Sequence, residues 1–175
     1  MNHHREKILQ KYKTDDFTPV ILRPATVCGY SPRQRLDVVV NILTNLAYNK
    51  RVISVYGGSQ LRPNIHISDM VSVYEVLIKA EKSLVSGEIF NAGYENQKVI
   101  AIAEIVKKVI GEDVKILNSK SDDNRSYHVS SKKISDILSF KTKFTVRDAV
   151  SDLQNAFNKK LLINTFQDEN YFNIK

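Results

Sequence analysis

The 175-residue sequence is poorest in the residues that cross-link a chain or anchor it in a membrane. It holds a single cysteine, Cys28, which excludes an internal disulfide and a cysteine-based zinc site and suits a reducing cytosol. Four prolines and six glycines exclude collagen-like and proline-rich low-complexity chains. Apolar runs are short, as in Val38-Val39-Val40, far below the roughly 20 residues of a membrane span. No signal-peptide pattern opens the sequence, so a cytoplasmic protein with no membrane partner is expected. Against these scarcities stand 42% hydrophobic and 26% charged residues, enough for a packed core in one ordinary domain or part of a larger one. The net charge of +7 raises nucleic acid as a partner and equally suits a phosphate-bearing ligand. The basic residues are scattered in small clusters such as Lys107-Lys108 and Lys132-Lys133, without the aromatic-basic interleaving of RNA-recognition modules. Nucleic acid is therefore disfavoured.

Hydrophobic periodicity predicts alternating strands and helices, hence an α/β class. Residues 1–15 are helix-prone, with a thin stripe of Ile8, Leu9 and Tyr12. Strands are expected over 18–23, 51–56, 64–67, 87–93 and 114–117, the short β-branched runs. Helices are expected over 36–48, from a Ser68 cap to about Lys82, over 101–111, over 131–138, and from a Thr145 cap to about Lys160. In the second of these, Met70, Val71, Val73, Tyr74, Leu77 and Ile78 are read as inward. In the last, Asp148 stands three residues after Thr145 as the acidic half of a capping box. Residues 118–124 read as a loop and 161–175 as a loose tail.

Four segments occur in a telling order: Leu22-Arg-Pro-Ala-Thr-Val-Cys-Gly29, Arg62-Pro-Asn-Ile-His-Ile-Ser-Asp69, Phe90-Asn-Ala-Gly93 and Arg125-Ser-Tyr-His-Val-Ser-Ser-Lys-Lys133. Over about residues 5–158 the chain resembles the C-terminal half of extended short-chain dehydrogenases/reductases, the NAD-dependent sugar-nucleotide epimerases and dehydratases. The resemblance implies the C-terminal part of a Rossmann-type doubly wound sheet plus a small α/β substrate-binding subdomain, within residues 1–160. It also implies NAD as cofactor, a nucleotide sugar as substrate, and a Gly-rich phosphate loop and a Tyr-x-x-x-Lys pair in the N-terminal half. Neither occurs at a matching place here; Tyr171-Phe-Asn-Ile-Lys175 has the spacing but lies after every other motif. No catalytic residue is therefore assigned.

Within the matching segments the resemblance makes Arg62 and Arg125 a clamp on the substrate diphosphate, a task suited to planar, bidentate guanidinium groups. A surface ion pair for Arg62 and a solvated loop position for Arg125 are the plainer alternatives. Where relatives often carry aspartate, three residues after Tyr127, this chain has Ser130. Arg35 and Leu36 stand at the start of the helix expected over 36–48, where backbone N–H groups favour anions, and are assigned to substrate; Asn41 reads as a packed or exposed helix polar residue. Pro24 and Ala25 lie beyond the end of a strand, where α/β sheets bind ligands, and the resemblance assigns them to the nicotinamide; Thr26, where relatives often carry Asn, goes to substrate or to simple turn chemistry. His66 and Asp69 invite a catalytic or metal role, yet two ligands make a poor metal site; the structural reading is that Asp69 opens a helix, and no metal is assigned. Cys28 reads as a buried small apolar residue.

The function expected is the sugar-nucleotide-binding half of such an enzyme, inactive by itself. Its partners would be a nucleotide sugar and a chain supplying the N-terminal half, with a homo-oligomer as another outcome. The alternatives are a non-enzymatic module binding a nucleotide or a partner, half of a split enzyme, or a basic nucleic-acid binder.

Overall fold

The computed structural model describes residues 3–120 and 125–173. Its elements run α1 (His3–Lys11), β1 (Ile21–Pro24), β2 (Thr26–Cys28), α2 (Val39–Lys50), β3 (Val52–Tyr56), β4 (Leu61–His66), α3 (Ile67–Lys79), α4 (Lys82–Val85), β5 (Ile89–Ala92), β6 (Glu95–Lys98), α5 (Val99–Ile110), β7 (Lys115–Ser119), α6 (Lys132–Leu138) and α7 (Val146–Asn158). A 3-10 turn, Glu169–Tyr171, follows. Strands β1 and β5 pair in parallel, Ile21 beside Ile89, as do β2 and β4, Thr26 beside Asn64, and β3 and β7, Val52 beside Lys115. Strand β6 runs antiparallel along β4, with Arg62 beside Gln97. Parallel pairing demands crossovers, and the helices between the paired strands supply them. The architecture is α/β, as the alternation predicts.

Two cores follow from two sets of stripes. Val40, Leu43 and Ala47 of α2, Ile102 and Val106 of α5, and Val146, Ala149 and Val150 of α7 close over Ile53 and Val55 of β3. Met70, Val73 and Leu77 of α3 pack with Phe90 and Ala92 of β5 and Ile134 of α6. Helix α5 ends at Gly111, φ 151°, where an added Cβ would stand 2.6 Å from an Arg51 guanidinium nitrogen. Helix α7 opens on the expected capping box: the Thr145 hydroxyl accepts from the Asp148 N–H, and the Asp148 carboxylate accepts from the Thr145 N–H at 2.8 Å.

The structure corrects several local expectations. Helix α2 starts at Val39, because Leu36 leaves the helix to be buried in its own right. The cap of α3 is His66, whose Nδ1 accepts from the Ser68 N–H at 3.1 Å. The six apolar residues of α3 form two stripes, and only one is covered: Val71, Tyr74 and Ile78 are 50%, 51% and 82% exposed. Ile8 and Leu9 of α1, and Tyr12 just after it, are exposed too. Strands β2 and β6 add to the expected set; both are short, and β6 reads Glu-Asn-Gln-Lys, which carries no apolar alternation. Asn118 and Ser119 extend β7, while 121–124 lie outside the described residues.

Residues 161–173, expected as a loose tail, fold back over α2. Leu162 joins Leu153, Ala156 and Phe157 in a small core, and the buried Thr165 hydroxyl donates to Asn45 Oδ1 at 2.7 Å. The periodicity fades there because anchoring is by single side chains and turns, with Lys160 and Asn164 at positive φ.

Candidate functional site

Strand β4 carries Arg62 to the rim of a cleft of about 510 Å³. The loop before α2 supplies Asp37 to its wall and the start of α2 supplies Val39 and Ile42; β3 supplies Tyr56, and α5 supplies Val99. One Arg62 Nη1 donates to the carbonyls of Leu61 at 3.0 Å and of Arg125 at 2.6 Å. The guanidinium also stands over the Tyr127 ring, 5.5 Å from its centroid. The segment after residue 124 is pinned beside β4. Ser126 Oγ accepts from the Leu61 N–H at 2.9 Å and Tyr127 N–H donates to the Leu61 carbonyl at 3.2 Å. Further on, the Asn96 side chain pairs with both backbone groups of Val129, and Ser131 Oγ bonds both those of Gly93. Two arginine-bearing segments 63 positions apart are thus side by side.

Asp37 escaped the sequence reading. Its carboxylate takes Arg35 Nε and Nη2, each at 2.9 Å, and the Asn173 N–H at 2.9 Å. The Arg35 bonds hold this carboxyl below the usual carboxylate range, against the opposing effect of burial and with help from Asn173. Arg35 therefore reaches the cleft through Asp37. Leu36 is fully buried, and its N–H donates to the Tyr171 carbonyl at 2.9 Å, so it offers no backbone donor at a helix start. Asn41, read as a packed or exposed helix polar residue, is packed: it accepts from the Gly29 N–H at 3.2 Å and donates to the Arg35 carbonyl at 2.8 Å. Gln34 braces the same loop through the carbonyls of Gly29 and Arg35. These two amides were not legible as loop fasteners, because an amide's partners are set by folding.

Pro24, Ala25 and Thr26 lie apart from that cleft's lining. Pro24 and Ala25 sit at the C-terminal end of β1, with the Ala25 N–H donating to the Ala92 carbonyl. Thr26 stands across from Asn64 in β2. Gly93 approaches Ala25 so closely that an added Cβ would fall 2.9 Å from the alanine Cβ. His66 and Asp69 are structural: His66 Nε2 meets Asp152 Oδ2 at 3.2 Å while its ring stacks on Phe144. Asp69 caps no helix of its own. Its buried carboxylate accepts from the N–H groups of Lys143 and Phe144, at 2.9 and 3.0 Å, and so ties α3 to the approach to α7. Among the described residues no His, Cys, Asp and Glu cluster could hold a metal ion. Burial, with the nearby charges of Glu95 and Asp69, pushes the Cys28 thiol up to about 12.

This arrangement of parallel strands and helices has counterparts among known proteins. Residues 2–93 match the model of the NAD dependent epimerase/dehydratase family. The chain belongs to that family. Solved structures carry the same fold. The UDP-glucose 4-epimerase of Thermotoga maritima, solved with UDP-glucose, superposes with a TM-score of 0.77 at 20% identity over 91% of this chain and 52% of that one. For the UDP-glucuronic acid 4-epimerase of Bacillus cereus, solved with UDP-glucuronic acid and NAD, the values are 0.74, 23%, 91% and 50%. For the dTDP-glucose 4,6-dehydratase of Bacillus anthracis, solved with NAD, they are 0.70, 19%, 87% and 49%. The epimerase/dehydratase chain thus spans about half the length of these structures. Among its described residues the Gly57-Gly58 turn joins β3 to β4, and the Gly93 turn joins β5 to β6. Neither leads from a strand into a helix as a dinucleotide phosphate loop does, and the loop from β2 into α2, which does, holds Gly29 as its one glycine, so among the described residues no Gly-rich phosphate loop joins a strand to a helix. No helix among them is long and apolar enough to cross a membrane.

Proposed function

We propose that this chain supplies the nucleotide-sugar-binding part of an NAD-dependent epimerase or dehydratase. The observation that carries the reading is the cleft beside Arg62, with the Arg125–Tyr127 segment held against that guanidinium. Arg62 and Arg125 would engage the diphosphate, and the apolar wall of Val39, Ile42 and Val99 with the exposed Tyr56 ring would take the base. Thr26 would line the sugar's side, and Pro24 with Ala25 would present only the edge of a nicotinamide site.

A further α/β unit of similar size would carry the phosphate loop and the proton-transferring residues. Support for it lies beside β1, a parallel strand whose pairing here is with β5 alone among the described residues. Along it runs an apolar groove of about 440 Å³ formed with Tyr74, Leu77 and Ile78. Parallel sheets are ordinarily covered on both faces. Alone, the 175-residue chain should bind NAD weakly or not at all.

The test is titration calorimetry of the chain with UDP, dTDP, the corresponding nucleotide sugars and free sugar. Diphosphates should bind and free sugar should not. Arg62→Ala should cost about 1.5–3 kcal/mol of binding, the range for hydrogen bonds to a charged group, and Arg62→Lys should recover part of it. Equal diphosphate affinity in the chain, Arg62→Ala and Arg125→Ala would remove the clamp.

A further inference from the structure

The Arg33–Asp37 loop, whose Asp37 lines the cleft, is held from two sides. From within the domain, Asn41 and Gln34 bond the Arg35 carbonyl. From outside, the C-terminal segment crosses it with a row of bonds: Arg33 Nη1 donates to the Asn170 carbonyl at 2.7 Å, the Leu36 N–H to the Tyr171 carbonyl at 2.9 Å, and the Asn173 N–H to Asp37 Oδ2 at 2.9 Å. The segment is itself anchored. Leu162 and Tyr171 pack on the Leu153–Phe157 core, Thr165 bonds Asn45 of α2, Lys50 stands 4.2 Å over the Phe166 ring, and the Asp168 side chain caps the 3-10 turn.

We propose that residues 161–173 are a strap that positions the Arg33–Asp37 loop as a wall of the nucleotide cleft. The proposal rests on the nucleotide reading of that cleft and assigns its wall. The chemistry concerns Asp37. A carboxylate lining a cleft meant for a diphosphate repels its ligand unless its oxygens are engaged. Arg35 engages both, and the strap's Asn173 N–H adds a third bond. The Tyr171 carbonyl fixes the backbone one residue earlier, so the carboxylate keeps its direction as the chain enters α2. Arg35 acts here as the partner of Asp37 rather than as a direct phosphate ligand.

The test compares the 175-residue chain with one shortened after Gln167, which keeps the Leu162 and Thr165 anchors and loses the crossing bonds. Hydrogen exchange of the Leu36 amide and UDP affinity are both measured. Shortening should speed Leu36 exchange at least about tenfold while the amides of Leu43 and Ala47 keep their protection. UDP affinity should fall about three- to tenfold, the range of one hydrogen bond's net contribution, and Asp37→Asn in the shortened chain should restore most of it. Unchanged Leu36 exchange overturns the strap, since Asn41 and Gln34 would then suffice to hold the loop. Faster exchange with unchanged UDP affinity overturns its role in the site. Absence of UDP binding by the 175-residue chain is the failure of the nucleotide reading itself, and the exchange data tell it apart from the failure of the strap. Should circular dichroism show the shortened chain unfolded, Arg33→Ala decides: it removes one tie from an exposed side chain, and Leu36 must again exchange faster, about threefold, or the proposal falls.

Discussion

Arg62 shows what one residue acquires from its neighbours. A guanidinium on a strand would swing freely; here two carbonyls and the Tyr127 ring fix its direction. Asp69 acquires a different role in the same way. Two backbone N–H groups end on its buried carboxylate, so Asp69→Ala should destabilise the fold by about 2–3 kcal/mol, the cost of leaving buried donors unsatisfied. Urea melts followed by circular dichroism would measure it. Cys28 is held neutral by burial, and its Sγ–H donates to the Ile65 carbonyl. Iodoacetamide at pH 8 should leave the native chain unlabelled and modify it once guanidinium unfolds it, as mass spectrometry would report. The raised thiol pKa also has a direction in stability. The unfolded thiol loses its proton from about pH 8.5 upward while the folded one keeps it to about 12. The contribution is therefore whole below pH 8.5 and is lost as pH rises through that window.

Among the elements, α7 is the one whose start is most fully specified. Thr145 and Asp148 satisfy each other's backbone N–H groups, and the bonds from the Thr145 hydroxyl and then its N–H hold the Asp148 carboxyl below its usual range. Thr145→Ala should cost about 1 kcal/mol at pH 7. The stability from a lowered carboxyl pKa is present above the unfolded value of about 3.9 and disappears as pH falls below it. The gap between the chain and Thr145→Ala should accordingly narrow in melts at pH 3; a constant gap would mean that the carboxylate adds nothing to the cap. Helix α3 lacks such closure. Its Met70, Val73 and Leu77 are buried, while Val71, Tyr74 and Ile78 form an apolar stripe facing outward.

At the scale of the molecule, that stripe and the groove beside β1 are apolar surface of the kind that drives association. The chain should self-associate as concentration rises. The double substitution Tyr74→Lys, Ile78→Lys should suppress this with little effect on the melting curve, because both side chains are more than half exposed. Light scattering against concentration checks it; a monomer at all concentrations would show that the stripe attracts nothing. The strands also explain why the 125–131 segment lies beside Arg62. Strand β4 is paired on both sides, by β2 and β6, and the 125–131 segment is fastened to β4, β6 and the Gly93 turn by Ser126, Asn96 and Ser131.

Local physics carried the sequence reading far. The α5 and α7 stripes, the Gly111 stop, the capping box and the α/β alternation all follow from interactions within a few residues, which the order of residues determines by itself. Order and spacing of four segments also sufficed for the family. Tertiary structure alone decided the rest. It chose which of two α3 stripes to bury, since both have helical spacing. It drew 161–173 onto α2 through Leu162 and Thr165, contacts with no period to read. It turned Arg35 onto Asp37, Asp69 onto a loop some 74 positions away, and the Leu36 N–H toward the Tyr171 carbonyl. A polar side chain can satisfy its bonds with many partners, and only the folded chain determines which of them comes within 3 Å.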